Sequence, residues 1–364
     1  MYRDLKYLLA YLLPLSGFLG LYLGGIWSFG SIYVAFIILP LLEFILPASA
    51  ENHAPEEEAE RAGRSLFDWL LYLNLPILVA AVWYLLHLVT TRELAAYELT
   101  GMILNVGLLI GTIGINVGHE LGHREKAFEQ WLAQALLLFG LYMHFFIEHN
   151  RGHHRYVATP HDPATSRKNQ SIYTFWLRST VLSWWHAWTL EAERLQRLDT
   201  GLEEGTAPSP RWTWLSWRNL MLRFQVMQLA YLALVYSSFG FTGLWVAIAA
   251  AVFGFLMLET VNYIEHYGLL RRQNAAGRYE PVLPIHSWNS NHEMGRIFLY
   301  ELTRHSDHHY RATRKYQILR AFEESPQLPT GYPACMILAL FPPAWFAVMN
   351  PRVEQFMDRL PAAV

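Results

Sequence analysis

The sequence predicts an all-α integral membrane protein, with six transmembrane helices and a helical cap that carries a cluster of histidines. Three observations predict it. Only 16% of the 364 residues are charged and 53% are hydrophobic, against about 25% charged in soluble domains. Two long stretches, 7–42 and 224–258, contain no charged side chain. Sixteen histidines concentrate in a few short motifs instead of scattering.

The N-terminal residues, Met1 to Lys6 followed by an apolar run, superficially resemble a secretory signal. The run is too long and lacks a small-residue cleavage site, so it reads as a retained first span. The 36 uncharged residues of 7–42 are about twice the ~20 needed to cross a bilayer. They predict a hairpin of two spans, about 7–24 and 26–46, turning at Gly24, Gly25 and the Ser28-Phe29-Gly30 segment. Single spans follow at 69–91 and 99–118, joined by a link with Arg92 and Glu93. The stretch 224–258 repeats the hairpin, with spans at 222–239 and 241–262 around Gly240 and Gly243.

The chain reads as one membrane domain over 1–364, with cytosolic parts at 119–218 and 263–325. With the N-terminus inside, Arg92 is the only basic residue outside, and the other 27 of 28 lie inside. That is the expected positive-inside bias. The uncharged segment 130–147 lies between histidine motifs that must meet, so it predicts a packed or re-entrant helix that starts and ends on one side. Segment 325–351 carries six prolines, poor material for a spanning helix, and is expected to cover the cytosolic part. The GLEEGTAPSP run at 201–210 reads as an exposed loop. A net charge of −2 gives no reason to expect nucleic acid. A single cysteine, Cys335, excludes a disulfide framework and a four-cysteine iron–sulfur centre within this chain.

Four clusters carry the chemistry: His119 and His123 in HELGH, then His149, His153 and His154 in HNRGHH, His266 in EHYG, and His305, His308 and His309 in HSDHH. His119 and His123, four apart, share one helical face and can reach one metal. Spans four and six both run outside to inside, so their ends bring His119, His123 and His266 to the side that holds the other two clusters. Nine imidazoles exceed what one ion accepts, so two ions are expected. Imidazole alone does not choose among iron, zinc and copper. Glu120, Glu148, Glu265, Asp162 and Asp307 adjoin these histidines, where carboxylates commonly take the outer ring N–H; helix-end or surface charge is the bland alternative. His53, His87, His144 and His186 lie outside the motifs and read as structural or solvated.

HELGH also satisfies the zinc-protease pattern HExxH, with Asp199 as an arguable distant ligand, but that reading leaves seven clustered histidines without purpose. A haem protein would need paired ligands within the spans, where only His87 lies well inside.

HELGHR (119–124), EHNRGHHRYVATPHDPATSR (148–167), NYIEHYGLLRR (262–272), HSWNSNHE (286–293) and RHSDHH (304–309) closely resemble the membrane alkane 1-monooxygenases, the AlkB-type alkane hydroxylases. These belong with xylene monooxygenase and the fatty-acyl desaturases, and the NYIEHYG block separates hydroxylases from ordinary desaturases. The resemblance implies a non-haem di-iron centre with His119, His123, His149, His153, His154, His266, His305, His308 and His309 as ligands. It implies hydroxylation of the terminal methyl of medium- to long-chain n-alkanes drawn from lipid, using O2 and electrons from rubredoxin and rubredoxin reductase. A bacterial inner membrane with the metals on the cytosolic side follows. The alternatives within this group are a xylene-type or a fatty-acyl hydroxylase or desaturase. His161 departs from the family pattern, where an acidic residue is expected. His286, Trp288 and Asn289, together with His292 in the same block, are expected near the substrate or behind the ligands. Arg151, Arg155, Arg167, Lys168, Arg271, Arg272, Arg311, Arg314 and Lys315 would offer a basic face to an acidic electron carrier, or simply contact lipid headgroups.

Overall fold

The computed structural model describes residues 2–201 and 211–360. Beyond Gly201, the loop expected at 201–210 lies outside the described residues. Those described are mostly helical, with no strand among them.

Five helical stretches are long and apolar enough to cross a membrane: α1 (Asp4–Leu23), α2 (Gly25–Ile45), α3 (Ser65–Thr91), α4 (Ala96–Gly122) and a fifth over Thr213–His266. The six crossings expected from sequence thus correspond to five stretches, the last of them divided. Between α4 and the fifth lie α5 (Ala127–Phe139) and α6 (Ile172–Thr200); the fifth contains α7 (Leu220–His266). Gly240 interrupts α7 with φ 64°, ψ −165°. Gly24, between α1 and α2, adopts almost the same pair, φ 64°, ψ −159°. A Cβ forbids this region to other residues, so both turns sit where the sequence places a glycine inside an uncharged run. Asn219 caps α7, its Oδ1 accepting from the N–H groups of Met221 (2.9 Å) and Leu222 (3.3 Å).

The core runs along α4. Of its apolar window 83% is buried, against 28–44% for the other stretches. Small residues allow this: Gly107 and Gly111 pack directly on the backbone of α7, with no room for a Cβ. The uncharged segment after His123 folds as α5, turns at Gly140, and returns through Phe145–Glu148 to the second histidine motif. Three further helices complete the cap: α8 (His305–Tyr310), α9 (Tyr332–Ala339) and α10 (Pro342–Arg359). The proline-rich tail covers the end of α7, burying Tyr332, Cys335 and Trp345 against Tyr263 and Tyr267.

Candidate metal centre

All nine clustered histidines meet in one place. Their ring nitrogens form two groups that can each hold a metal ion: His119, His123, His149, His154 and His308 in one, and His153, His266, His305 and His309 in the other. The motifs do not map one-to-one onto the groups, and local backbone geometry explains why.

His149–His153 is a π-helical turn. The His154 N–H bonds to the carbonyl of His149, a step of five residues that stacks His154 over His149. An ordinary α-turn would have paired His149 with His153. His153 is thereby released to the second group. In α8, His305 and His309 are four apart and share the second group, while His308 projects to the first.

Neighbouring Nε2 atoms within the groups lie 2.8–3.2 Å apart. A ring nitrogen carries either one N–H or one lone pair. His149 Nε2, 3.1 Å from His123 Nε2 and 3.0 Å from His154 Nε2, can therefore hydrogen-bond to one of them at most. His308 and His305 face the same frustration. Two nitrogens ~2.1 Å from a shared metal and at right angles would sit ~3.0 Å apart. Burial, and then the closeness of the other rings, holds His123, His149, His154, His305 and His309 well below the usual imidazole pKa. Neutral lone pairs that converge at this spacing fit metal ions.

The five carboxylates picked from sequence take different roles. Asp162 Oδ2 lies 2.9 Å from His153 Nδ1 and accepts from the Thr165 hydroxyl at 2.5 Å. Burial alone would lower the His153 pKa, but the carboxylates of Asp162, foremost, and of Glu148 and Glu259 together hold the ring above its usual value. Glu265 Oε2 lies 3.1 Å from His305 Nε2, on the inner side of the second group, while its Oε1 accepts from the Tyr332 hydroxyl at 2.8 Å. The other three turn away from the nine rings. Glu120 is held by Arg124 (2.7 Å) and the Tyr316 N–H (3.1 Å), Glu148 by His186 (3.1 Å), and Asp307 by Arg314 (3.1 Å) and the Arg320 N–H (2.8 Å).

His286, Trp288 and Asn289 do not line the apolar cavity described below. Trp288 donates to the Tyr267 carbonyl, Asn289 clasps Ser306 through both its amide atoms, and His286 accepts from the Leu283 N–H. They tie α7 to α8. His161 packs near Tyr156 and Tyr279, His292 is half-buried, His53 pairs with Glu57, and His87 stacks on Trp83 within α3. Asp199 pairs with Arg218. Glu120, bound to a guanidinium, makes a poor general base for a protease. Of the basic residues, Arg151, Lys168, Arg314 and Lys315 are engaged by Glu191, Glu354, Asp307 and Asp68.

An apolar cavity lies among α1, α2, α4, α7 and α9. It offers about 60 Å³ to the centres of water-sized spheres. Phe36, Leu108, Met257, Phe298, Leu302 and Met336 wall it, no charged side chain among the described residues lines it, and Tyr332 is part of its lining. Tyr332 was not singled out from sequence; it lies in the proline-rich segment, and only its pairing with Glu265 gives it a place beside the site.

Comparison with known proteins agrees with this arrangement. Residues 95–339 match the fatty acid desaturase family. The chain is 41% identical to alkane 1-monooxygenase 2 of Pseudomonas aeruginosa, over 98% of this chain and 94% of that one. It is 38% identical to an alkane 1-monooxygenase of Pseudomonas putida, over 95% and 84% of the two chains. It is 31% identical to the xylene/toluene monooxygenase hydroxylase component of Pseudomonas putida, over 98% and 90%. With the motifs, the helical bundle and the two histidine groups in agreement, the chain belongs to the fatty acid desaturase family and, within it, to the membrane alkane 1-monooxygenases.

Proposed function

We propose that this enzyme hydroxylates the terminal methyl group of medium- to long-chain n-alkanes to 1-alkanols, with O2 as co-substrate and electrons from rubredoxin and its reductase. The observation that carries the reading is the apolar cavity lined by Tyr332, whose hydroxyl reaches the carboxylate beside the second histidine group. An alkane offers no hydrogen-bonding group, so its binding rests on apolar burial, about 0.8 kcal/mol per methylene. Orientation then comes from shape, and a cavity narrow enough for one chain presents the terminal carbon first.

The nine histidines would hold two irons, five around one and four around the other. Bound iron supplies the reduction of O2 and the transfer of one oxygen atom into the C–H bond; two electrons and two protons carry the other atom to water. The protein's share is positioning. Asp162 fixes the His153 ring through its outer nitrogen, and Tyr332 fixes the Glu265 carboxylate between cavity and histidines. The apolar walls exclude water from the reacting end.

The excess of Lys and Arg on one side of the spans supports an orientation in a bacterial inner membrane with the N-terminus and the histidines facing the cytosol. Electrons then arrive from that side while substrate enters from lipid. The test is product analysis after supplying octane, dodecane, xylene and an acyl-CoA to purified enzyme reconstituted with rubredoxin and its reductase. Terminal alcohols from the alkanes, with about two iron per chain, are expected. Absence of 1-alkanol from every alkane overturns the reading.

A further inference from the structure

A second cavity lies on another face of α7, apart from the apolar one. It is a cleft of about 300 Å³ on the same measure, bounded by the turn after α5, by α6 and by both arms of α7. Phe255 on the second arm lines it, whereas Met257, Leu258 and Val261 line the apolar cavity. The helix therefore stands between the two spaces.

Its rim is apolar and outward-facing: Val181 is 62% exposed and Trp184 37%. This rim continues the bare apolar face of α6, where Leu177 and Trp185 are also exposed, and meets the exposed flank of α7 at Val226 and Leu229. Such a face belongs in lipid, with tryptophan at the headgroup level. The floor is polar. His144 is only 3% exposed, and its Nε2 has no partner among the described residues. The Gln225 side-chain nitrogen is likewise buried without a partner. Beside them the Tyr142 hydroxyl is committed to Glu259 at 2.7 Å.

Two buried polar atoms left unpaired at the bottom of an apolar-mouthed cleft cost desolvation unless an occupant pairs them. Among the described residues no Lys, Arg, Asp or Glu lines the cleft, so a carboxylate or phosphate would enter without a counter-charge. An alkane would leave both atoms unpaired. A neutral hydroxyl suits both: it donates to an imidazole nitrogen and accepts from an amide N–H.

We propose that this cleft binds the hydroxyl end of a long-chain 1-alkanol at His144 and Gln225, with the tail running past Val181 and Trp184 into the lipid. The occupant's identity rests on the reading that the enzyme forms such alcohols; the cleft's chemistry does not. Product would then have a polar resting place on a different face of α7 from the substrate cavity.

The test uses the full-length enzyme in nanodiscs and a dodecanol photoprobe carrying a diazirine on a carbon close to its hydroxyl, with labelled peptides read by mass spectrometry. Labels are expected on α6 around Val181 and Trp184. Excess 1-dodecanol should suppress them, whereas dodecane and dodecanoate should not. Gln225→Leu should lower this labelling about fivefold, the worth of one hydrogen bond. A dodecane photoprobe should still label the apolar cavity in that variant, which shows the fold intact. Suppression by dodecane or dodecanoate as strong as by the alcohol, or labelling indifferent to Gln225→Leu, overturns the proposal. Labelling does not depend on turnover. An enzyme that makes no alcohol yet labels as described would sink the proposed reaction and leave the site standing.

Discussion

The Tyr332 hydroxyl donates to Glu265 Oε1 at 2.8 Å while Glu265 Oε2 lies 3.1 Å from His305 Nε2. A residue of the proline-rich tail thus holds a carboxylate that faces the inner side of the histidine groups. A hydrogen bond to a charged group contributes roughly 1.5–3 kcal/mol. Tyr332→Phe removes it and little volume. Turnover should fall about tenfold or more, with iron content per chain unchanged. Unaltered turnover on dodecane would show that the carboxylate needs no such hold.

Asp162 offers a cleaner test of ring orientation, because it touches His153 only through the outer nitrogen. Asp162→Asn keeps size but loses the charge. Partners of this kind typically contribute 10–100-fold in metal affinity or activity, and a loss in that range is expected, measured as iron retained during dialysis against a chelator. Glu120→Gln serves as the contrast. Its carboxylate braces Arg124 and Tyr316 rather than a ring, so the thermal midpoint should drop while iron retention stays near the wild-type value.

Spacing made the histidines legible, since HxxxH, HxxxHH and HxxHH hardly arise by accident in one chain. Their division was not legible. It depends on the π-turn at His149–His153, which no residue pattern announces and which sends His153 and His154 to different groups. The turns at Gly24 and Gly240 could be read because a glycine inside an uncharged run has one economical explanation. Tyr332 could not be read, because its importance comes from contact with Glu265, 67 residues away. For His286, Trp288 and Asn289 the sequence left two places open, near the substrate or behind the ligands. In space they hold the segments around Tyr267, Leu283 and Ser306, next to the elements that carry His266 and His305.

The cavity's far end sets which chain lengths fit. Leu108 lines it eleven residues before His119, on the far side of the π-helical stretch Ile110–Asn116 of α4. A larger side chain there shortens the space without touching the histidines. Leu108→Trp should shift the preferred alkane toward shorter chains by several carbons, at an overpacking cost of about 1–3 kcal/mol in stability. Gas chromatography of products from an equimolar C6–C16 mixture gives the answer, and an unshifted distribution would place the chain elsewhere.

Electron delivery can be tested through salt. Arg314 and Lys315 are tied to Asp307 and Asp68, but Arg167 and Arg311 stand exposed. Exposed charges are screened beyond about 10 Å at 0.1 M salt. If an acidic carrier docks on this face, rubredoxin-dependent turnover should slow steeply between 50 and 500 mM salt, and Arg311→Glu should raise the KM for rubredoxin while leaving kcat largely intact. Turnover indifferent to salt would mean the basic residues serve headgroups instead.

Gly331 tests how the first hairpin is locked to the cap. Glu43, at the end of α2, is buried and accepts from the Gly295 N–H at 3.0 Å. A Cβ at Gly331 would overlap its other oxygen, Oε2. The glycine is therefore required by close approach and not by its backbone angles. Gly331→Ala should destabilise the protein by about 1–3 kcal/mol, since the Glu43 carboxylate must swing aside and give up its hydrogen bond from Gly295. Glu43→Ala removes the obstruction but also the acceptor for Gly295, costing about 1–3 kcal/mol. Combined, the two changes should cost clearly less than the sum of the singles, because the alanine then occupies space that the carboxylate has left. Denaturation midpoints of the four proteins in one detergent complete the cycle. Strict additivity would mean that Gly331 and Glu43 do not meet, and that α9 is held against α2 by other contacts.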